Sequence, residues 1–321
     1  EWQVVIGTHA LISEGVEFEN LRLVVTDEQH RFGVRQRTML EGKGAAPHVM
    51  VMSATPIPRT LSLVLYGDLD LSVVDELPPG RTPVRTRIVP EEKRPGLYDF
   101  IRAEAGLGHQ TDVVCPLVGE EAEEGLEPAR SATQVQHELR EALAPLEVGL
   151  VHGRMNKAQK EETLDRFYAG EIDVLVATTV IEVGVNVPKA TVMVIEGAER
   201  FGLAQLHQLR GRVGRGAQES WCFLMAQPNE RLRTLVSTND GFLVAQKDLE
   251  LRGAGEFFGT RQHGEPQMPA LMLTSDARLL ERTRDAFLQI IRDDACLAER
   301  EAILRSARRR FERTGGMIAR N

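Results

Sequence analysis

Short apolar runs recur along the chain with polar, helix-like stretches between them, at residues 4–6, 21–25, 49–52, 71–74, 84–89, 112–115, 148–151, 174–177, 192–195 and 221–225. They lack the alternation of a half-solvated strand. They therefore predict parallel strands covered on both faces, with helices such as 158–168 as crossovers, and an α/β fold class. From about residue 227 the strand rhythm stops. Leu279, Leu280, Phe287, Ile290 and Ile291 then fall at helix-face spacing and predict a helical appendage.

At 321 residues the chain is too long for one typical core, so two compact units plus that appendage are expected. Residues 76–83, Glu-Leu-Pro-Pro-Gly-Arg-Thr-Pro, break the middle with residues that neither continue a helix nor donate to a central ladder. The expected division is 1–80, 81–226, 227–275 and 276–321. Residues 119–128 carry five glutamates and two glycines and read as a surface loop. No repeat of fixed period is visible. The chain opens on strand-like Trp2-Gln3-Val4-Val5-Ile6 without a Met, which predicts a piece of something longer.

Composition changes this picture in two ways. Acidic residues outnumber basic ones by 47 to 39, a net charge of −8, so any nucleic acid must be met by local basic patches rather than by an overall positive field. The three cysteines, Cys115, Cys222 and Cys296, lie far apart without Cys-x-x-Cys spacing, which excludes a usual zinc ribbon and fits a reducing cytoplasm. No run approaches the roughly 18 apolar residues of a membrane span, and no secretory leader is present.

The candidate chemistry begins where the second apolar run ends, at Asp27-Glu28-Gln29-His30. An acidic pair at the carboxyl end of a buried strand can hold Mg²⁺ and orient a water. Asp27 is the expected metal ligand and Glu28 the expected base, because a carboxylate on a dication stays ionised while its neighbour is free to take a proton. By itself such a pair is as well explained by a solvated turn, and His30 by a satisfied turn histidine. The joint occurrence with residues 205–215, Gln-Leu-His-Gln-Leu-Arg-Gly-Arg-Val-Gly-Arg, decides the reading. There Gly211 and Gly214 leave little bulk beside Arg212 and Arg215, as needed to push guanidinium forks onto a γ-phosphate. Arg210 is left between that role and structural hydrogen bonding.

Other strand ends carry small polar groups. Ser53 and Thr55 follow the run at 49–52 and can relay a hydrogen-bond change, or simply cap a helix. Thr178 and Thr179 follow the run at 174–177, and Gly184 allows close backbone approach to a phosphate; an ordinary strand-to-loop turn is the alternative. No Gly-x-x-x-x-Gly-Lys-Ser/Thr loop occurs, and Gly42-Lys43-Gly44 lacks its context. A chain without that loop is expected to bind ATP poorly.

The order of these motifs, with Val-His-Gly-Arg-Met at 151–155, resembles the superfamily 2 helicase and translocase motor. More narrowly, DEQHRFGVRQR at 27–37, ELPPGRTPV at 76–84 and QKDLELRGAGEFFGTRQ at 246–262 resemble the RecG family of ATP-dependent DNA helicases, which remodel stalled forks and branched junctions. The resemblance implies two RecA-like domains, the first incomplete, followed by a helical hairpin and C-terminal helices. It implies ATP and Mg²⁺ as cofactors and branched or duplex DNA as partner, with single-stranded DNA-binding protein as a further partner and no membrane. It places Gly184 and Asn186 at the nucleotide. Thr8, His9, Ser53, Thr55, His152, Arg154, Thr178 and Thr179 fall to the DNA-contacting and relay motifs, and Arg252 and Gln262 to a coupling element. Asn186 stands where many relatives have Asp.

Gln29, where the transcription-repair coupling factor is expected to carry Glu, and the ELPPGRTPV linker separate the chain from that relative. The phosphate loop and the junction-splitting wedge have no counterpart, so the resemblance is to the C-terminal part of the family, inactive by itself. Two rivals stand beside it. One is a non-catalytic module gripping duplex DNA or a partner through Arg305, Arg308, Arg309, Arg310 and Arg313. The other is a metabolic α/β enzyme, which needs a phosphate loop or a nucleophile in context that the chain lacks.

Overall fold

The computed structural model describes residues 3–13, 15–27, 43–44, 47–53, 72–74, 76, 80–116, 131–178, 187, 189–216, 218–252, 277–293 and 300–313. The chain divides into two compact units, Glu1–Ser72 with Arg261–Asn321, and Val73–Thr260.

The second unit is built on a six-stranded sheet of order β3-β8-β7-β4-β6-β5, every neighbouring pair parallel. Its strands are β3 (Arg85–Val89), β4 (Gln110–Cys115), β5 (Val148–Val151), β6 (Val174–Thr178), β7 (Ala190–Glu196) and β8 (Trp221–Met225). The helices are α1 (Arg94–Gly106), α2 (Ala132–Leu143), α3 (Lys157–Ala169), α4 (Leu203–Arg210), α5 (Glu230–Ser237) and α6 (Gly241–Arg252). Successive strand residues enter different cores, because side chains alternate across a sheet. Val192 and Val194 of β7 pack with Leu97 and Ile101 of α1 and with Val135, Leu139 and Leu143 of α2. Met193 and Ile195 pack instead with Leu203, Leu206 and Leu209 of α4 and Leu232 and Leu235 of α5. Two-sided burial is the reason β7 reads as an uninterrupted apolar run, and all seven of its residues are buried.

Helix starts follow local chemistry. Ser131 and Gln134 close a capping box on α2, and Asn156 and Gln159 do the same on α3. Gly170, at φ 80°, then ends α3 in the left-handed conformation that glycine adopts without steric cost.

In the first unit, β1 (Leu23–Thr26) pairs in parallel with β2 (His48–Val51). Only one face of β1 is covered: Val24 and Thr26 are buried, whereas Leu23 and Val25 are 58% and 50% exposed. The run at 4–6 is exposed and forms no strand, and residues 72–74 are likewise irregular. An apolar run becomes a strand only where a neighbour completes its ladder. The C-terminal helices are α7 (Ala277–Asp293) and α8 (Glu301–Arg313). Phe287, expected on the packed face of α7, is 51% exposed.

Among the described residues no helix is long and apolar enough to cross a membrane. Cys115 and Cys222 are buried free thiols, and burial pushes Cys222 up to about 12, so it behaves as a small apolar residue.

Candidate functional site

The arginine-rich segment is shaped by packing on both sides of it. Leu203, Leu206 and Leu209 anchor α4 in the core, and Gly211 caps the helix, its N–H donating to the carbonyls of His207 and Leu209. Val213, fully buried, pins the following loop. Arg212 is half-buried and Arg215 exposed. The two glycines differ in what they require. Gly211 has an ordinary φ of −68°, whereas Gly214 sits at φ +73° and a Cβ there would lie 2.7 Å from Val84 Cγ2. Gly214 is therefore demanded by both backbone and space.

Arg81 holds this loop from outside. Its Nε donates to the Gly214 carbonyl at 3.1 Å and its Nη2 to the Gly211 carbonyl at 3.3 Å. Thr82 Oγ1 donates to the Gln218 carbonyl at 3.1 Å, and the Arg85 N–H to the Ser220 carbonyl at 2.9 Å. Sequence reading used residues 76–83 as punctuation and missed Arg81, whose partners lie 130 and 133 positions downstream.

Asp112, mid-strand on β4, lies within reach of the Arg212 charge. Burial pushes the Asp112 carboxyl up to about 7, and the Arg212 charge pulls in the opposite direction. From α3, the Tyr168 hydroxyl is buried nearby, raised to about 12 by desolvation and by the Asp112 charge. Neither Asp112 nor Tyr168 belongs to a recognisable motif; the signal was a lone carboxylate inside an apolar run.

Arg210, open on sequence grounds, is structural. It is 3% exposed, and its Nη1 donates to the Leu235 and Thr238 carbonyls, both at 2.8 Å. Its Nη2 donates to His207 Nδ1 at 2.9 Å, so that nitrogen accepts and the imidazole proton sits on Nε2. At the other end of α5, Arg231 donates to the Glu199 carbonyl. The helix after the sheet is thus fastened at one end to the last residue of α4 and at the other to the turn Ala198–Arg200 that precedes α4.

His207 is held down to about 4, first by burial and then by the Arg210 charge. Between pH 4 and 6.5 the unfolded chain binds a proton that the folded one refuses, so stability rises with pH across that window and falls as the medium is acidified. The expected contribution is about 2 kcal/mol after allowance for partial exposure. His207→Gln, which keeps an acceptor for Arg210, should flatten the pH dependence of the denaturation midpoint between those limits. An unchanged slope would show that His207 is not its source.

The remaining sequence-derived residues lie at strand ends. Asp27 follows β1 and is exposed; Ser53 lies two residues past β2, also exposed. The Met52 N–H donates to the Thr26 carbonyl at 2.8 Å, and Thr26 is in register with Val51, so Asp27 and Ser53 share one sheet edge. An exposed strand-end carboxylate suits Mg²⁺, which keeps several waters and takes one or two carboxylates beside substrate phosphates. Among the described residues no group of three or more His, Cys, Asp or Glu forms a metal cage. Thr8 is exposed and its carbonyl accepts from the Leu11 N–H, opening the turn His9–Ile12.

In the second unit, His152 and Arg154 lie in the turn after β5, and the Arg154 N–H donates to His152 Nδ1 at 3.3 Å. Thr178 ends the adjacent β6, and its buried Oγ1 finds no partner among the described residues. Those three share the carboxyl edge of the parallel sheet, where ligands of such sheets bind. Arg252 is the last residue of α6. Glu28, His30, Thr55, Thr179, Gly184, Asn186 and Gln262 lie outside the described residues.

Comparison with known proteins agrees with this layout. Residues 108–217 match the helicase conserved C-terminal domain. A curated protein of Escherichia coli O157:H7, named ATP-dependent DNA helicase RecG, is 51% identical over 289 residues, covering 87% of this chain and 41% of its own. Proteins of the same name from Thermotoga maritima and Bacillus subtilis are 49% and 46% identical, covering 89% and 95% of this chain and 37% and 45% of theirs. A solved structure of RecG bound to a three-way DNA junction superposes with TM-score 0.64 at 47% identity, over 86% of this chain and 36% of that one. Fold and matches together define the class: an α/β helicase motor of RecA-like build. Within it, the chain belongs to the RecG family. It spans about two fifths of the length of the curated relatives it matches.

Proposed function

We propose that this chain is the motor segment of an ATP-dependent duplex-DNA translocase that remodels stalled replication forks and branched recombination intermediates. The observation that carries the reading is the close identity, over nearly the whole chain, to helicases named RecG. In this reading Asp27 holds Mg²⁺, which when bound neutralises charge on the phosphates, and Glu28 accepts the proton of the attacking water. Arg212 and Arg215 stabilise charge on the γ-phosphoryl group, while Gly184 and Asn186 line the nucleotide. Thr8, His9, His152, Arg154, Thr178 and Thr179 contact the DNA backbone, and the place of His152, Arg154 and Thr178 at the carboxyl edge of the sheet supports that assignment. Ser53 and Thr55 relay nucleotide state, and Arg252 and Gln262 convert closure into movement. The fastening of α5 to the end of α4 by Arg210, and to the turn before α4 by Arg231, supports such coupling, because it links the finger segment to the hairpin. DNA repair and recombination, a cytoplasmic location and contact with single-stranded DNA-binding protein complete the proposal.

The test is strand separation of a fluorescent three-way junction by the full-length protein. Unwinding that requires both ATP and Mg²⁺ is expected, with DNA binding that weakens steeply as salt rises. Tight junction binding with no ATP-dependent unwinding would favour the non-catalytic module instead.

A further inference from the structure

We propose that Arg81 is a positioning residue for ATP hydrolysis, its guanidinium fixing the peptide planes from which Arg212 and Arg215 project. The inference rests on the finger reading of those two arginines. The Gly211 carbonyl belongs to the peptide that leads into Arg212, and the Gly214 carbonyl to the peptide that leads into Arg215. Arg81 grips both, at 3.3 and 3.1 Å. One rigid planar fork therefore sets the orientation of two side chains at once, which a flexible ammonium cannot do.

The rest of the loop shows why this contact adds orientation rather than only cohesion. Val213 is already buried between the two carbonyls, Gly214 already packs on Val84, and the segment beyond is tied by Thr82 to Gln218 and by Arg85 to Ser220. These hold the loop's path. The peptide before Arg212 is held from its other side as well, the Arg212 N–H donating to the Leu209 carbonyl at 3.1 Å, so Arg81 completes that anchorage and fixes the carbonyl that precedes Arg215. Arg215 itself reaches back to the Gly211 carbonyl at 3.5 Å, so that oxygen is shared by two guanidiniums. When Arg215 leaves for a phosphate, Arg81 keeps the carbonyl satisfied and the peptide in place. The junction segment thus contributes directly to the shape of the finger loop.

The experiment compares Arg81→Ala, Arg81→Lys and Arg212→Ala in the full-length protein, reading ATP turnover under saturating branched DNA. A misplacement of reacting groups by about 1 Å costs on the order of 10²-fold, so Arg81→Ala should lower kcat by roughly that factor with little change in KM for ATP. Arg81→Lys should recover only part. Guanidinium ion should restore part of the loss in Arg81→Ala while leaving the thermal midpoint and KM for ATP unchanged, a split that a merely structural role does not predict. Wild-type turnover by Arg81→Ala would overturn the proposal, and so would a loss that guanidinium leaves untouched and that follows a fall in the thermal midpoint. If Arg212→Ala keeps wild-type turnover, the finger reading fails whatever Arg81→Ala does. If Arg212→Ala is inactive and Arg81→Ala normal, the positioning role alone is lost.

Discussion

Arg212→Ala in the full-length protein should lower DNA-stimulated ATP turnover by on the order of 10³-fold, the usual cost of an arginine finger, equivalent to about 4 kcal/mol of transition-state stabilisation. DNA affinity should hardly move, since the proposed phosphate contacts lie on other strand ends. The fold should tolerate the change: Arg212 is half-buried in a loop already pinned by Val213. Its loss leaves Asp112, already pushed up to about 7, without the charge that pulls it down, so the carboxyl rises further and is protonated near neutrality. A neutral acid there costs little. Arg212→Lys should rescue poorly, because a point charge does not reproduce a planar fork. Steady-state ATPase and equilibrium DNA binding, measured side by side, check this. Equal losses in both would reassign Arg212 to DNA binding.

Two positions earlier the same substitution should act on stability instead. Arg210→Ala strips the donors from the Leu235 and Thr238 carbonyls and from His207 Nδ1 at a site where the arginine is 3% exposed. Leaving buried acceptors unpaired while opening a void costs about 3 kcal/mol or more. For a unit of this size that corresponds to a midpoint lower by roughly 6–12 °C. Calorimetry of the full chain, with hydrogen exchange on α5, measures it. Faster exchange in α5 than in α1 would locate the damage at the α4–α5 fastening, whereas an unshifted midpoint would mean the three hydrogen bonds contribute little. A pair of neighbouring arginines, one felt in kcat and the other in the melting curve, is the sharpest consequence of this geometry.

That contrast marks where sequence reading ran out. Arg210, Arg212 and Arg215 are the same residue type in one short motif, and no local rule separates them. Their surroundings differ because Leu209 turns Arg210 toward α5 while Gly211 ends the helix before Arg212. Arg81 was illegible for a related reason: both its acceptors are backbone carbonyls, and a carbonyl carries no residue-type signature. The run at 112–115 predicted a strand correctly but could not show that its carboxylate lies within reach of the Arg212 charge. Conversely, residues 4–6 have strand composition without a strand.

What the sequence determined by itself was whatever depends on near neighbours or on composition: the apolar runs that must be covered, the Pro- and Gly-rich break at 76–83, and the motif order that resembles a RecG-type motor. These are legible because a strand's burial and a break in the chain are each written within a few neighbouring residues. The tertiary structure decided that the Arg210 guanidinium supports the fold and that Arg81 grips the carbonyls ahead of Arg212 and Arg215. The Arg81 contacts depend on carbonyls brought near by the pairing of β3 with β8, segments more than a hundred residues apart that only folding joins.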